Sequence, residues 1–228
     1  MSVFHSLEHA THVSWVLWSA LFAAGLLFVT GLAVRSRLAA AGGGLVPDQG
    51  LTARNVVEML VEMLAGLAEQ NMGPKWRSYF PFIATLFFFI LVSNLIGLIP
   101  GLAGATSNAN TTWAWAGISF AVHQFVGIRE HGFGYIRHFL GPIWWLAPLM
   151  LFIETFAHIA RPFSLSMRLF GNMMAHEMLV VVLLILMPYA FPLLAFATVL
   201  GILVVVIQAL IFSILAMAYI GGALEEAH

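Results

Sequence analysis

Residues 164–177, SLSMRLFGNMMAHE, decide how this chain is read, because Arg168 stands inside a stretch from about Ile143 to Met187 that is otherwise almost continuously apolar. Its guanidinium keeps its proton at any physiological pH. A permanent cation near the centre of a bilayer is disfavoured by about 2.5–3.5 kcal/mol on insertion scales, so a chain that retains one needs an anion or a wet cavity beside it. Charge movement is therefore the first functional expectation. The composition agrees with a membrane setting: of 228 residues, 61% are hydrophobic and 8% charged, with a mean hydropathy of +0.97, where a soluble domain carries about 25% charged residues. The absence of cysteine excludes disulfides, thiolate metal sites and cysteine catalysis. MSVFHSLEHATH at residues 1–12 has neither a basic start nor a short apolar core with a small-residue cleavage site, so no removable signal peptide is expected.

Outward from that stretch, the apolar runs predict an all-α integral membrane protein with about five crossings. Val13–Val34 is a first span, closed by Arg35 and Arg37. AAAGGG at 39–44 and Pro47 form a connector, and Leu51–Gln70 spaces Val56, Leu60, Met63, Leu64 and Leu67 on one helical face away from Glu58, Glu62 and Glu69. That pattern predicts an amphipathic helix on the membrane surface, or one packed on a soluble partner. Tyr79–Ile99 and Trp113–Ile128 are the second and third spans, separated by a polar uncharged loop. The 143–187 segment is roughly twice as long as the hydrocarbon layer requires, so it is expected to lie obliquely or to break, most plausibly near Pro162. A last long, tilted helix covers 191–220, followed by the acidic tail 221–228.

The basic residues set the orientation. Arg35, Arg37, Arg54, Lys75, Arg77, Arg129 and Arg137 all fall in the connections 35–78 and 129–141, whereas the N-terminal tail, the 100–112 loop and the 188–190 turn carry none. The positive-inside rule then puts the N-terminus outside, the surface helix inside and, after five crossings, the C-terminus in the cytoplasm.

At about 100° per residue, Ser164, Arg168, Asn172 and His176 fall within about a third of the helix circumference, and Glu177 points roughly opposite Arg168. One face can meet a partner while the acid faces the protein's own interior, which suits a protein that separates two aqueous routes. Gly171 would let a neighbouring backbone approach. Gln208, the one strongly polar side chain between Phe191 and Ser213, is placed to hydrogen-bond Asn172 or Arg168 across the helix pair. Glu154 and Arg161 either pair with each other or line an ion path.

SLSMRLFGNMMAHE, followed about thirty residues later by IQALIFSILAMAYI and a short acidic tail, resembles the a subunit of F-type ATP synthases. SNLIGLIPG at 93–101, ATSNANTT at 105–112 and the order of spans extend the resemblance over nearly the whole chain. It implies a stator that passes H⁺, or Na⁺ in some members, to and from a rotating ring of c subunits, alongside peripheral-stalk b subunits and the bilayer. Arg168 would be the essential arginine facing the ring. Glu177, Asn172, Gln208 and His176 would line the outer half-channel, and Glu154 and Ser164 the cytoplasmic one. Many relatives carry a His or acid at the position of Gly201, and here His176 would supply that partner for Glu177; Gly97 likewise stands where some relatives have an acid. No cofactor, nucleic acid or catalysis by this chain itself is implied. The location implied is a bacterial inner membrane, although an organelle-encoded copy would look the same.

His5, His9 and His12 repeat at helical spacing around Glu8 and invite a divalent metal. No second segment offers ligands and the mechanism requires no metal, so an exposed polar helix is the better account of them. A haem-bearing anchor would need matched histidines on facing helices, with His123, His158 and His176 as the only candidates, and would leave Arg168 unexplained. A secondary transporter would show two similar halves, which are absent. No GxxxxGK[ST] loop occurs, so nucleotide chemistry belongs elsewhere.

Overall fold

The computed structural model describes residues 3, 6, 8, 14–40, 52–99, 102–132, 147–186 and 191–225. His5, His9, His12, the connector at 41–51, Pro100, Gly101, Arg137, His138, residues 143–146, Met187 and the last three residues of the tail lie outside them. Among the described residues there are helices and turns and no strand.

Among the described residues six long helices follow in chain order: α1 Trp15–Ala40, α2 Ala53–Met72, α3 Trp76–Gly97, α4 Ala109–His131, α5 Ala147–Leu186 and α6 Phe191–Glu225. Local chemistry sets their ends. The Thr52 hydroxyl caps α2 by accepting from the Asn55 N–H at 3.3 Å. The Asn108 side chain opens α4 by accepting from the Asn110 N–H at 2.8 Å. Gly73 and Gly132, at φ 61° and 53°, close α2 and α4 in the left-handed region that glycine enters without a Cβ penalty.

The final helix is the hub. α6 packs on α2, α3, α4 and α5, and α4 also packs along α5. Their shared core includes Leu64 and Ala68 of α2, Ile83, Phe87 and Ile90 of α3, Val126 of α4, Leu169 and Met173 of α5, and Phe212, Met217 and Ile220 of α6. α1 stands at the edge, touching α3 through a small cluster of Ala23, Phe89 and Ile96. Leu21, Phe22, Phe28 and Val29 of α1 are exposed, as are Phe152, Phe156, Ile185 and Phe196 on α5 and α6. In water such a surface would be costly; against lipid chains it is matched.

Four stretches, 15–36, 54–97, 148–185 and 192–224, are long and apolar enough to cross a membrane, so the chain is a multi-pass membrane protein. α4 has span length but carries Asn110, Thr111, Thr112, His123 and Gln124, and it meets protein on two sides.

The structure refines several expectations. α1 and α6 run past their expected ends, to Ala40 and Glu225. α2 does not merely rest on a surface: Leu64, Ala68 and Met72 are buried under α3 and α6. α5 does not break at Pro162. That residue cannot donate to the carbonyl four positions earlier, yet the helix runs through it unbroken, 40 residues in all, about 60 Å at 1.5 Å per residue and about twice a hydrocarbon layer of about 30 Å.

The charged ends gather together. The Lys75 ammonium pairs with Glu130, holding that carboxyl below the usual carboxylate range, and His131 Nε2 lies 2.7 Å from the Ala223 carbonyl oxygen. Arg54 is buried and its Nε donates to Glu58 Oε1 at 2.8 Å. The start of α3 and the ends of α4 and α6 thus meet at one end of the bundle, and the 105–107 turn lies at the other.

Candidate functional site

α5 carries the site on two faces. Ser164, Arg168, Gly171, Ala175 and Met178 form an exposed stripe, with open space where a Gly171 side chain would be. Among the described residues, the Arg168 guanidinium makes no hydrogen bond or ion pair. The opposite face turns into the bundle, where Leu165, Leu169 and Met173 are buried. Glu177 lies on that side, as its angular position predicts, and its Oε1 accepts a hydrogen bond from the Ser107 hydroxyl.

A cavity of about 260 Å³ opens between α3, α5 and α6, lined by Asn94, Asn172, His176, Gly201 and Gln208 among apolar side chains, with Glu177 outside the lining. Asn172 Nδ2 donates to Gln208 Oε1 at 2.8 Å, the cross-helix bond expected from the sequence. Gln208 Nε2 and both His176 ring nitrogens are buried without a protein partner, an arrangement that suits a cavity in which water can enter and leave. Gly201 lets the His176 ring lie against α6: a Cβ there would come within 2.6 Å of His176 Nε2.

This corrects one expectation. His176 sits over Gly201 and forms no hydrogen bond to Glu177; Ser107, from a turn distant in sequence, is the partner instead. Ser107 lies within ATSNANTT, but nothing in that string says which helix it will meet.

At the other end of α5 the polar groups are closely packed. Glu154 does not pair with Arg161. Its Oε1 is 3.2 Å from His158 Nδ1, while Arg161 stacks over the Tyr219 ring at 5.2 Å. The reason is reach: His158 lies one helical turn from Glu154, whereas Arg161 is two turns away and has an aromatic face beside it. His123 of α4 donates through Nδ1 to the Tyr219 carbonyl oxygen at 2.8 Å, and its ring centre is 5.8 Å from that of His158. A void of only about 10 Å³ remains between His123, Arg161, Pro162 and Tyr219. From the sequence alone His123 and His158 stand out only as haem candidates; their contact depends on how α4 meets α5. Among the described residues no group of three His, Asp or Glu side chains is placed to hold a metal ion.

A family model described as the ATP synthase A chain matches residues 15–221. The chain belongs to the ATP synthase A chain family. It is 48% identical over 224 residues to ATP synthase subunit a 1 of Syntrophotalea carbinolica, covering 97% of this chain and 88% of that relative. Subunit a of Geobacter sulfurreducens is 53% identical over 175 residues, covering 77% of this chain and 76% of its own. The Trichlorobacter lovleyi subunit is 46% identical over 222 residues, covering 97% and 94%. A member of this family is a membrane-sector component of an ATP synthase. In this member the Arg-Leu-Phe-Gly-Asn string that carries the resemblance runs along α5 from the exposed stripe to the cavity.

Proposed function

We propose that this chain is the proton-translocating stator subunit of the membrane sector of an F-type ATP synthase, delivering protons through two half-channels to and from a rotating ring of c subunits. The observation that carries the proposal is Arg168: a permanent cation on an exposed membrane-helix face with no counter-charge among the described residues. Such a group is tolerable when another chain supplies the anion. A ring carboxylate entering its field is driven to the ionised form and releases its proton. Because the guanidinium never deprotonates, it also blocks direct passage between the two routes. Glu177, His176, Asn172 and Gln208 line the outer route, and Glu154 and Ser164 the cytoplasmic one.

ATP chemistry then belongs to other subunits, and this chain works with the ring and the peripheral-stalk b subunits. The basic loops favour an N-terminus outside and a C-terminus in the cytoplasm of a bacterial inner membrane. The unpartnered groups at the cavity are nitrogens, whereas a hard cation prefers several oxygen ligands, which favours H⁺ over Na⁺.

The test is ATP-driven acidification by vesicles holding the complete synthase, unmodified or with Arg168→Ala, with and without Na⁺. The expected result is that Arg168→Ala assembles but does not pump, and that the unmodified enzyme pumps without Na⁺. Normal pumping by Arg168→Ala defeats the proposal, and Na⁺-dependent pumping reassigns the ion.

A further inference from the structure

We infer that Ser107 is the positioning residue for the Glu177 carboxylate, and that Gly97 and Gly104 exist in this chain to seat the turn that delivers it. The inference rests on the proposed role of Glu177 in the outer route. Three contacts fix the turn Ala105–Ser107. Gly97, at the end of α3, faces Gly104 so closely that a Cβ on Gly97 would lie 3.3 Å from the Gly104 nitrogen and 2.3 Å from Met173 Cε, while a Cβ on Gly104 would lie 2.6 Å from the Ser93 carbonyl oxygen. The Thr106 hydroxyl donates to Asn94 Oδ1 at 2.5 Å inside the bundle. The Ser107 N–H bonds back to the Gly104 carbonyl at 3.0 Å. With the backbone held to α3 on both sides, the Ser107 side chain reaches Glu177 Oε1.

The chemistry follows from which oxygen is used. Ser107 occupies Oε1 and can donate to it whether the group is a carboxylate or an acid, because the acid's carbonyl oxygen still accepts. Oε2 is left to take a proton from the outer side and give it up toward the ring, and the carboxylate returns to its starting charge. Holding one oxygen stops the side chain from turning back on itself. The titratable neighbour of Glu177 is His176 on its own helix. The adjacent halves of α3, α4 and α6 and the 105–107 turn bring polar but uncharged groups.

The experiment compares the complete synthase in vesicles carrying Ser107→Ala, Ser107→Thr or Gly97→Ala, with Arg168→Ala in parallel, and reads synthase content and the pH profile of ATP-driven pumping. Ser107→Ala is expected to slow pumping at neutral pH about tenfold, the size of losing one hydrogen bond to an ionised group, and to change the pH profile. Ser107→Thr keeps the hydroxyl and recovers most of the rate and the original profile. Gly97→Ala displaces the turn and behaves like Ser107→Ala; if it does not assemble, the two Ser107 variants decide. An unmoved profile in Ser107→Ala, or a Thr variant no better than Ala, overturns the inference. Either result beside a dead Arg168→Ala leaves the ion-translocating role standing, whereas a pumping Arg168→Ala removes that role itself.

Discussion

The two ends of α5 use similar side chains and reach opposite outcomes. His158 lies roughly 15 Å before Arg168 along the helix and His176 roughly 12 Å after it, at 1.5 Å per residue, and each has an acid as a close neighbour in sequence. Around His176 the lining mixes Ala175, Ala197 and Gly201 with Leu98, Leu179 and Leu200, and about 260 Å³ stays open. Around His123 the lining is Ala116, Ser119, Phe120, Arg161, Pro162, Leu165 and Tyr219, and about 10 Å³ remains, with the His158 ring centre 5.8 Å from that of His123. Where space is left between the helices, polar nitrogens are served by solvent, and where it is closed, polar groups serve each other. The same residue types thus become an accessible lining at one end and an interhelical tie at the other.

Arg168 lies between the two, so removing it should have the largest effect of all. Arg168→Ala is expected to abolish pumping while the synthase still assembles, and Arg168→Lys to fail as well, since a point charge does not reproduce the planar fork; vesicle acidification checks both. Next comes the attempt to make the open end resemble the closed one. Gly201→Leu drives a branched side chain into the His176 ring and fills the cavity, and should slow pumping strongly without affecting ATP hydrolysis by the detached catalytic part. If pumping is unchanged, the cavity is not on the route. Gln208→Leu removes the acceptor of Asn172 and should slow pumping less than Arg168→Ala; an equal loss would mean that Gln208 has been ranked too low.

The closed end should respond in stability more than in transport. His158→Leu deletes the contact with Glu154 and leaves that carboxylate beside an apolar side chain, a cost of about 1 kcal/mol in a thermal or denaturant unfolding series of the detergent-solubilised synthase. A collapse of pumping with stability retained would move this cluster onto the transport route. Smallest is the exposed tie between Lys75 and Glu130. Because Lys75 holds the Glu130 carboxyl below its ordinary value of 4.5, the pair's contribution is present above that pH and disappears as pH falls through the lowered value. Lys75→Gln should therefore make acid stability slightly less steep below about pH 4.5 and change little at neutral pH.

Much of this molecule could be read from its residues. Apolar run lengths placed the long helices, because a bilayer fixes how many residues a span needs. The angular separation of Arg168 from Glu177 assigned one to the outside of α5 and the other to the inside, since 3.6 residues per turn is a property of any helix. The asymmetry of Arg and Lys among the loops suggested which ends belong together, and Lys75 meets Glu130 at one of them. What only the tertiary structure decided depends on pairs distant in sequence. Ser107 meets Glu177 across 70 positions because two glycines let a turn settle against α3. His176 lies over Gly201, and His123 meets His158, because α4 and α6 cross α5 at particular heights. Periodicity fixes which way a side chain points along its own helix, but the residue it meets is set by packing between helices, which no single segment encodes.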